Sequence, residues 1–384
     1  MKKTSVQTIQ RVGIYLLLLL VTGGLVCLPR PAAAGGYLGI RLCLKTLIPS
    51  LFPFFVVSDL LISLGAAGKL GVLLEGPTRR LLGFPGSCSA ALVLGCLGGY
   101  PLGAAVIADL YRRGACDKQD AQRLLALCNN SGPAFLFGVV GGTLFGSFSA
   151  GLLVFACHLA ASWLLCFLYR RRGQDRPRSP RPVPSGEALS FAAAFTGAVK
   201  KAFASVLNVC AFVIFFRVLL ALMEHVGLLD GLCRLPGRLF LLFGQDPALA
   251  RPLVLGIFEL SSGIAALQGV GTPAARLVCS SFLLGWAGIS VHFQVLSLVC
   301  DLGLSVREYL PGKLLHGLLA AALAAGAGQL FPAIPAFNGG TAGTADAVSL
   351  LFLLLLGAGL LIALIGVLGA NAAKIRPRRL KNRR

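Results

Sequence analysis

Residues 12–28 form a run of 17 residues without a charge, and apolar runs of comparable length recur along the chain as far as residue 369. About 20 apolar residues wound as a helix cross the ~30 Å hydrocarbon layer of a bilayer. Inside lipid a helix is favoured because it pairs its own backbone groups. Of the 384 residues, 56% are hydrophobic and 13% are charged, and mean hydropathy is +0.83. A soluble domain of this length cannot cover so much apolar surface with polar side chains. The chain reads as an all-α polytopic membrane protein. A disordered chain, a secreted disulfide scaffold and a soluble enzyme are excluded.

Eight spans are expected: residues 12–28, 46–64, 117–145, 148–169, 203–225, 274–300, 314–331 and 348–369. A short A-x-A-like stretch at residues 31–34 suits a signal-peptidase site. The length of the first run and the spans that follow favour a retained helix. Residues 87–110 are apolar but interrupted by Gly98-Gly99-Tyr100-Pro101-Leu102-Gly103, a density of Gly and Pro that ends a helix. Each flank of about ten residues gives roughly 15 Å of helix, too short to span. This reads as a re-entrant helical hairpin. A second hairpin is expected at residues 252–270, broken at Glu259-Leu260-Ser261-Ser262-Gly263. Two spans are themselves interrupted, one at Asn129-Asn130-Ser131-Gly132-Pro133 and one around Gly285-Trp286-Ala287-Gly288-Ile289-Ser290.

The same order therefore occurs twice: hairpin, broken span, plain span. Leu94-Gly95 aligns with Leu255-Gly256, and Ala121-Gln122-Arg123-Leu124 with Ala274-Ala275-Arg276-Leu277. The expected organisation is an N-terminal transmembrane helix (1–35), a first repeat (36–170), an Arg/Pro-rich cytoplasmic linker (171–187), a second repeat (188–332), and a final helix with a basic tail (333–384). With the N terminus inside, 27 of the 35 Lys and Arg residues fall in cytoplasmic segments and 7 outside, with Arg217 within a span. That bias obeys the positive-inside rule. It makes both termini cytoplasmic and inverts the second repeat relative to the first, an arrangement found in secondary transporters. The net charge of +21 is thereby a matter of topology, not nucleic-acid binding. The 12 Cys include no C-x-x-C pair and sit mostly in apolar runs, so neither disulfide nor zinc spacing is present.

A helix broken at membrane depth leaves backbone groups that only protein, water or ligand can satisfy. Half-helix N-termini carry partial positive charge and suit carboxylates. Gly99, Tyr100, Asn129, Asn130, Ser131, Ser261, Ser262 and Ser290 are the candidate substrate contacts. Helix capping and close packing are the competing roles of these residue types. Glu259, Arg217 and His292 are candidate coupling or charge partners. Glu259 either carries a coupled proton, holds a cation or anchors backbone at the break. Arg217 either counters an anionic substrate or pairs with Glu224, seven residues on. His158, alone on a plain span, reads as structural. No P-loop, G-x-S-x-G, nucleophile–base pair or metal cluster is present, so neither an ATP-driven pump nor an enzyme is expected, and no cofactor or metal.

Ile48-Pro49-Ser50-Leu51-Phe52-Pro53-Phe54-Phe55, the Gly-Gly-Tyr-Pro-Leu-Gly hairpin and Asn129-Asn130-Ser131-Gly132-Pro133 resemble the YlbJ/SpoVV sporulation integral membrane proteins. That family contains the nucleoside-recognition Gate repeats also seen, more distantly, in concentrative nucleoside transporters. The resemblance covers about residues 10–370 and is looser in the second half. It implies a transporter or facilitator of a small organic anion, dipicolinic acid, in a mother-cell or outer forespore membrane. H+ or Na+ would be the coupling ion, and the lipid bilayer the other partner. A nucleoside or other polar-solute carrier, or a non-transporting assembly protein, are the alternatives.

Overall fold

The computed structural model describes residues 2–64, 73–76, 78–84, 86–169, 190–304 and 309–330. Among these every regular element is helical. Five helical stretches are long and apolar enough to cross a membrane: Pro29–Leu60, Phe148–Leu168, Phe191–His225, Pro273–Leu302 and Tyr309–Ala327. Side chains such as Leu16, Leu20, Phe191, Phe203 and Phe215 stand exposed on helices, the pattern of a lipid-facing surface. The expected linker and the last expected span lie outside the described residues.

The first two helices are α1 (Lys2–Cys27) and α2 (Pro29–Leu42). α2 runs through a π-wound turn, Cys43–Leu47, into α3 (Ile48–Ser63). The second span thus starts at Pro29 and not at residue 46. Pro29 suits the first helical turn, where no N–H partner is needed. Gly35 is a poor helix former but lies against another helix: a Cβ on it would sit 2.6 Å from the Cβ of Ala221. Tertiary packing overrides propensity. The residue 31–34 stretch lies within this helix.

The first half continues with a helical hairpin, α4 (Ser89–Gly98) and α5 (Leu102–Arg112), joined through Gly99-Tyr100-Pro101. Next comes the broken pair: α6 (Lys118–Cys128), started by the Asp117 carboxylate on the Asp120 N–H at 2.7 Å, and a π-wound helix, Ala134–Phe145. α7 (Phe148–Leu168) follows unbroken. The second half opens on α8 (Phe191–His225), which begins 12 residues before the expected residue 203 because Ser190 caps it and the Ala-rich start favours helix. α9 (Leu228–Leu242) has no counterpart in the sequence reading. The second hairpin is α10 (Ala250–Phe258) and α11 (Leu260–Ala266), hinged at Glu259. The second broken pair is α12 (Pro273–Trp286) and α13 (Ile289–Val299), interrupted at Ala287-Gly288. α14 (Tyr309–Leu330) closes the described part, starting five residues before the expected 314.

Each hairpin break rests on the broken pair of its own half. A Cβ on Gly132 would lie 2.9 Å from the Cα of Gly99, and one on Gly288 would lie 3.0 Å from the Leu260 nitrogen and the Gly256 oxygen. Backbone meets backbone at both places, so only glycine fits. α14 then packs on α12 in its own half and on α6 and α7 in the other, tying the two sets of breaks together.

Candidate functional site

Nonhelical backbone in an apolar interior must find partners. At the first break the Leu127 carbonyl accepts from Asn130 Nδ2 at 2.9 Å and from Ser162 Oγ at 2.8 Å. The Ser131 N–H donates to His158 Nε2 at 3.2 Å. The Asn129 carbonyl accepts from Lys313 Nζ at 2.8 Å. Across the halves, the Tyr100 hydroxyl donates to the Leu284 carbonyl near the end of α12 at 2.7 Å; within the second half, Trp286 Nε1 donates to the Ile257 carbonyl near the end of α10 at 3.1 Å. Tyrosine and tryptophan suit this work because a large apolar body carries one polar tip.

Glu259 is fully buried and caps α11. Its carboxylate accepts the Ser261 N–H at 2.9 Å, and the Ser262 N–H at 2.6 Å with the Ser262 hydroxyl beside it. Charge-assisted bonds of this kind are about twice as strong as neutral ones. Glu224 is not the partner of Arg217: it pairs with Arg251, which also meets Asp230 at 3.2 Å, on an exposed face. Residues 217 and 224 share a helix side, but Arg251 at the foot of α10 reaches Glu224 directly.

A cavity lies between the two sets of breaks. The first half contributes Gly99, Tyr100 and Ser131, and the second contributes Glu259, Ser261, Ser290 and Gln294. Leu47, Leu51 and Phe55 from the α2–α3 span, with Val209 and Val213 from α8, complete an apolar wall. Three buried atoms of lining residues have no protein partner: Ser131 Oγ, Ser290 Oγ and Gln294 Oε1. A polar atom left so would cost about 1–3 kcal/mol, which water or a ligand removes.

Of the sequence candidates, Gly99, Tyr100, Ser131, Ser261, Ser290 and Glu259 meet at this cavity. Asn129, Asn130, Ser262, Arg217 and His292 are not among its lining residues. Asn129 Nδ2 reaches the Tyr309 hydroxyl at 3.3 Å, and His292 Nδ1 meets the same hydroxyl at 3.0 Å. Lys313, His316 and Tyr309, all fully buried on α14, were missed. Lys313 stands just outside the expected span 314–331, where the basic-residue count takes it as cytoplasmic, yet it lies among the breaks. The spacing 309, 313 and 316 places three polar residues on one face of an apolar helix, the signal that would have found them. His158 does hold structure, as expected. Among the described residues no cluster could bind a metal ion.

Known proteins agree with this architecture. Residues 44–156 match the family model for the Gate domain, described as nucleoside recognition. The chain is 28% identical over 322 residues to the sporulation integral membrane protein YlbJ of Bacillus subtilis (strain 168), an alignment covering 79% of each chain. The chain resembles YlbJ along most of its length. The solved structure of CNTnw in an inward-facing substrate-bound state superposes with a TM-score of 0.54 at 15% identity, covering 84% of this chain and 85% of that one. At that identity the likeness establishes a shared fold, that of a concentrative nucleoside transporter. The chain is thus an integral membrane protein of transporter-like fold with a sporulation membrane relative.

Proposed function

We propose that this protein is a secondary transporter or facilitator for a small organic anion, and that the cavity between the breaks is its binding site. The observation that supports this most is the lining itself: both halves meet there, and three of its residues carry a buried polar atom without a protein partner. The two repeats, 36–170 and 188–332, lie inverted in the membrane on this reading, with the linker 171–187 cytoplasmic and the hairpins entering from opposite sides. Alternating access then follows from rocking one half against the other around a fixed site. Lys313 supports an anionic solute, because it places a cation against Tyr100 just behind the lining. On the resemblance to the YlbJ/SpoVV sporulation proteins, the proposed solute is dipicolinic acid, moved across a mother-cell or outer forespore membrane. The protein carries out no covalent chemistry.

A neutral polar solute such as a nucleoside is the second reading. It is favoured by the uncharged lining apart from Glu259, whose carboxylate is occupied by α11. Uptake of labelled dipicolinate into proteoliposomes, with uridine in parallel, separates the two. Saturable dipicolinate uptake that uridine does not inhibit is the expected result. Uridine uptake without dipicolinate uptake would replace the anion reading by the nucleoside one.

A further inference from the structure

Lys313 is fully buried on α14, and no carboxylate among the described residues bonds to it. An unpaired buried charge is ordinarily very unfavourable. Its surroundings explain how it is tolerated. The amino group has an acceptor for each of its three N–H bonds: the Asn129 carbonyl at 2.8 Å, the Tyr100 hydroxyl at 3.3 Å and His316 Nδ1 at 3.2 Å. Each acceptor is oriented in turn. Tyr100 donates its own hydroxyl hydrogen bond to the Leu284 carbonyl, and His316 Nε2 meets the His158 carbonyl at 3.0 Å. The nitrogen also lies 5.2 Å from the centroid of the Tyr100 ring. The Asn129 carbonyl follows directly on α6, at the end of that half-helix where the dipole is negative.

Unwound carbonyls and half-helix C-terminal ends are the groups that coordinate a coupling cation in transporters built on broken helices. Here a side-chain ammonium holds that place. We propose that Lys313 is a tethered cation that takes the position of a dissociable Na+ at the first-half break, so that the protein operates without Na+ there. The corresponding carbonyls of the second half are held by neutral donors, Tyr100 on Leu284 and Trp286 on Ile257, so the fixed charge is confined to one half. A fixed charge also changes what the empty carrier must do. It resets without releasing an ion from this position.

The flux arm of the test rests on the transport reading; the binding and unfolding arms do not. Full-length wild type, Lys313→Ala and Lys313→Met are purified in detergent. Binding of 22Na+ is measured directly, and thermal unfolding is compared in NaCl, choline chloride and methylammonium chloride at equal ionic strength. The wild type should bind no 22Na+ saturably and unfold at one temperature in all three salts. Lys313→Ala should unfold roughly 3–6 °C lower and recover part of that loss in methylammonium or Na+, which refill the vacated position. Lys313→Met fills the volume without charge and should not recover. Saturable 22Na+ binding to the wild type would overturn the proposal even if neither variant folds. So would a Lys313→Met protein matching the wild type in both unfolding and flux. In proteoliposomes, dipicolinate uptake should be unchanged when choline replaces Na+. If neither dipicolinate nor uridine moves while the binding and unfolding arms behave as stated, the transport reading fails and the lysine assignment stands.

Discussion

Gly132→Ala gives the most direct test of how the first break is held. The added methyl carbon would sit 2.9 Å from Gly99 Cα, 3.0 Å from Gly99 N and 3.3 Å from Gly98 C. Carbon pairs prefer about 3.5–4.0 Å, so the two segments must separate by roughly 0.6–1 Å. All three neighbours are backbone, so no side chain can rotate away. Gly99 itself has φ +73 with an extended ψ, a region open essentially only to glycine, so the hairpin tip has little freedom to yield. Overpacking of this kind costs about 1–3 kcal/mol. Gly142→Ala is the control: its methyl would meet only Phe137 O at an ordinary 3.5 Å, on an exposed part of the π-wound helix. Equilibrium unfolding in mixed detergent micelles reads both. Gly142→Ala should stay within about 0.5 kcal/mol of the wild type. If Gly132→Ala does the same, at normal abundance, the backbone contact between the hairpin and the broken pair is not part of the native structure.

Ser131→Ala removes a buried hydroxyl that has no protein partner from a residue lining the cavity, so unfolding should barely change while solute affinity falls by about 2- to 12-fold, corresponding to ~0.5–1.5 kcal/mol; unchanged affinity would remove Ser131 from the site. Glu259→Gln weakens the cap on α11 and should lower stability by about 1.5–3 kcal/mol in the same micelle assay. Wild-type stability combined with net uptake that no longer depends on pH would instead assign Glu259 to proton coupling. Tyr100→Phe deprives both the Leu284 carbonyl and the Lys313 amino group of a partner, and should cost about 1–3 kcal/mol for the unsatisfied groups; a neutral result would mean that the inter-half bond is dispensable. With the native cysteines removed, a cysteine within 171–187 should resist an impermeant thiol reagent added outside intact cells, whereas one within 338–344 should react. Labelling of the linker would refute the inverted arrangement.

The order of hairpin, broken span and plain span was legible in the sequence because glycine and proline interrupt apolar runs only where backbone can be satisfied some other way. The break at Glu259 falls at the residue expected, since a carboxylate in such a run needs N–H donors and a new helix start supplies them. The early start of α2 was not legible, because Gly35 and Gly39 look like breakers until Ala221 and Ile214 of α8 are seen against them. Lys313 was misplaced for a similar reason. A lysine near the start of an apolar stretch reads as a loop cation. Only the fold reveals the Asn129 carbonyl and the Tyr100 hydroxyl waiting for it, from segments far away in the chain. Periodicity reports which face of a helix is apolar, but not which distant polar atom makes an exception affordable.

Two of the bonds that join the halves have a bearing on biogenesis. Lys313 to Asn129 and Tyr100 to Leu284 each connect residues 184 positions apart. At about 5–20 residues per second, the ribosome needs on the order of 10–40 s to deliver the second partner after the first. During that interval the Asn129 carbonyl and the Tyr100 hydroxyl have left the ribosome without their native counterparts. A half-made chain therefore keeps its polar middle hydrated, at the membrane surface or within the insertion machinery, until α12 and α14 arrive. Nascent chains arrested before residue 313 should accordingly remain bound to that machinery and be extractable, and release into lipid should coincide with synthesis of α14.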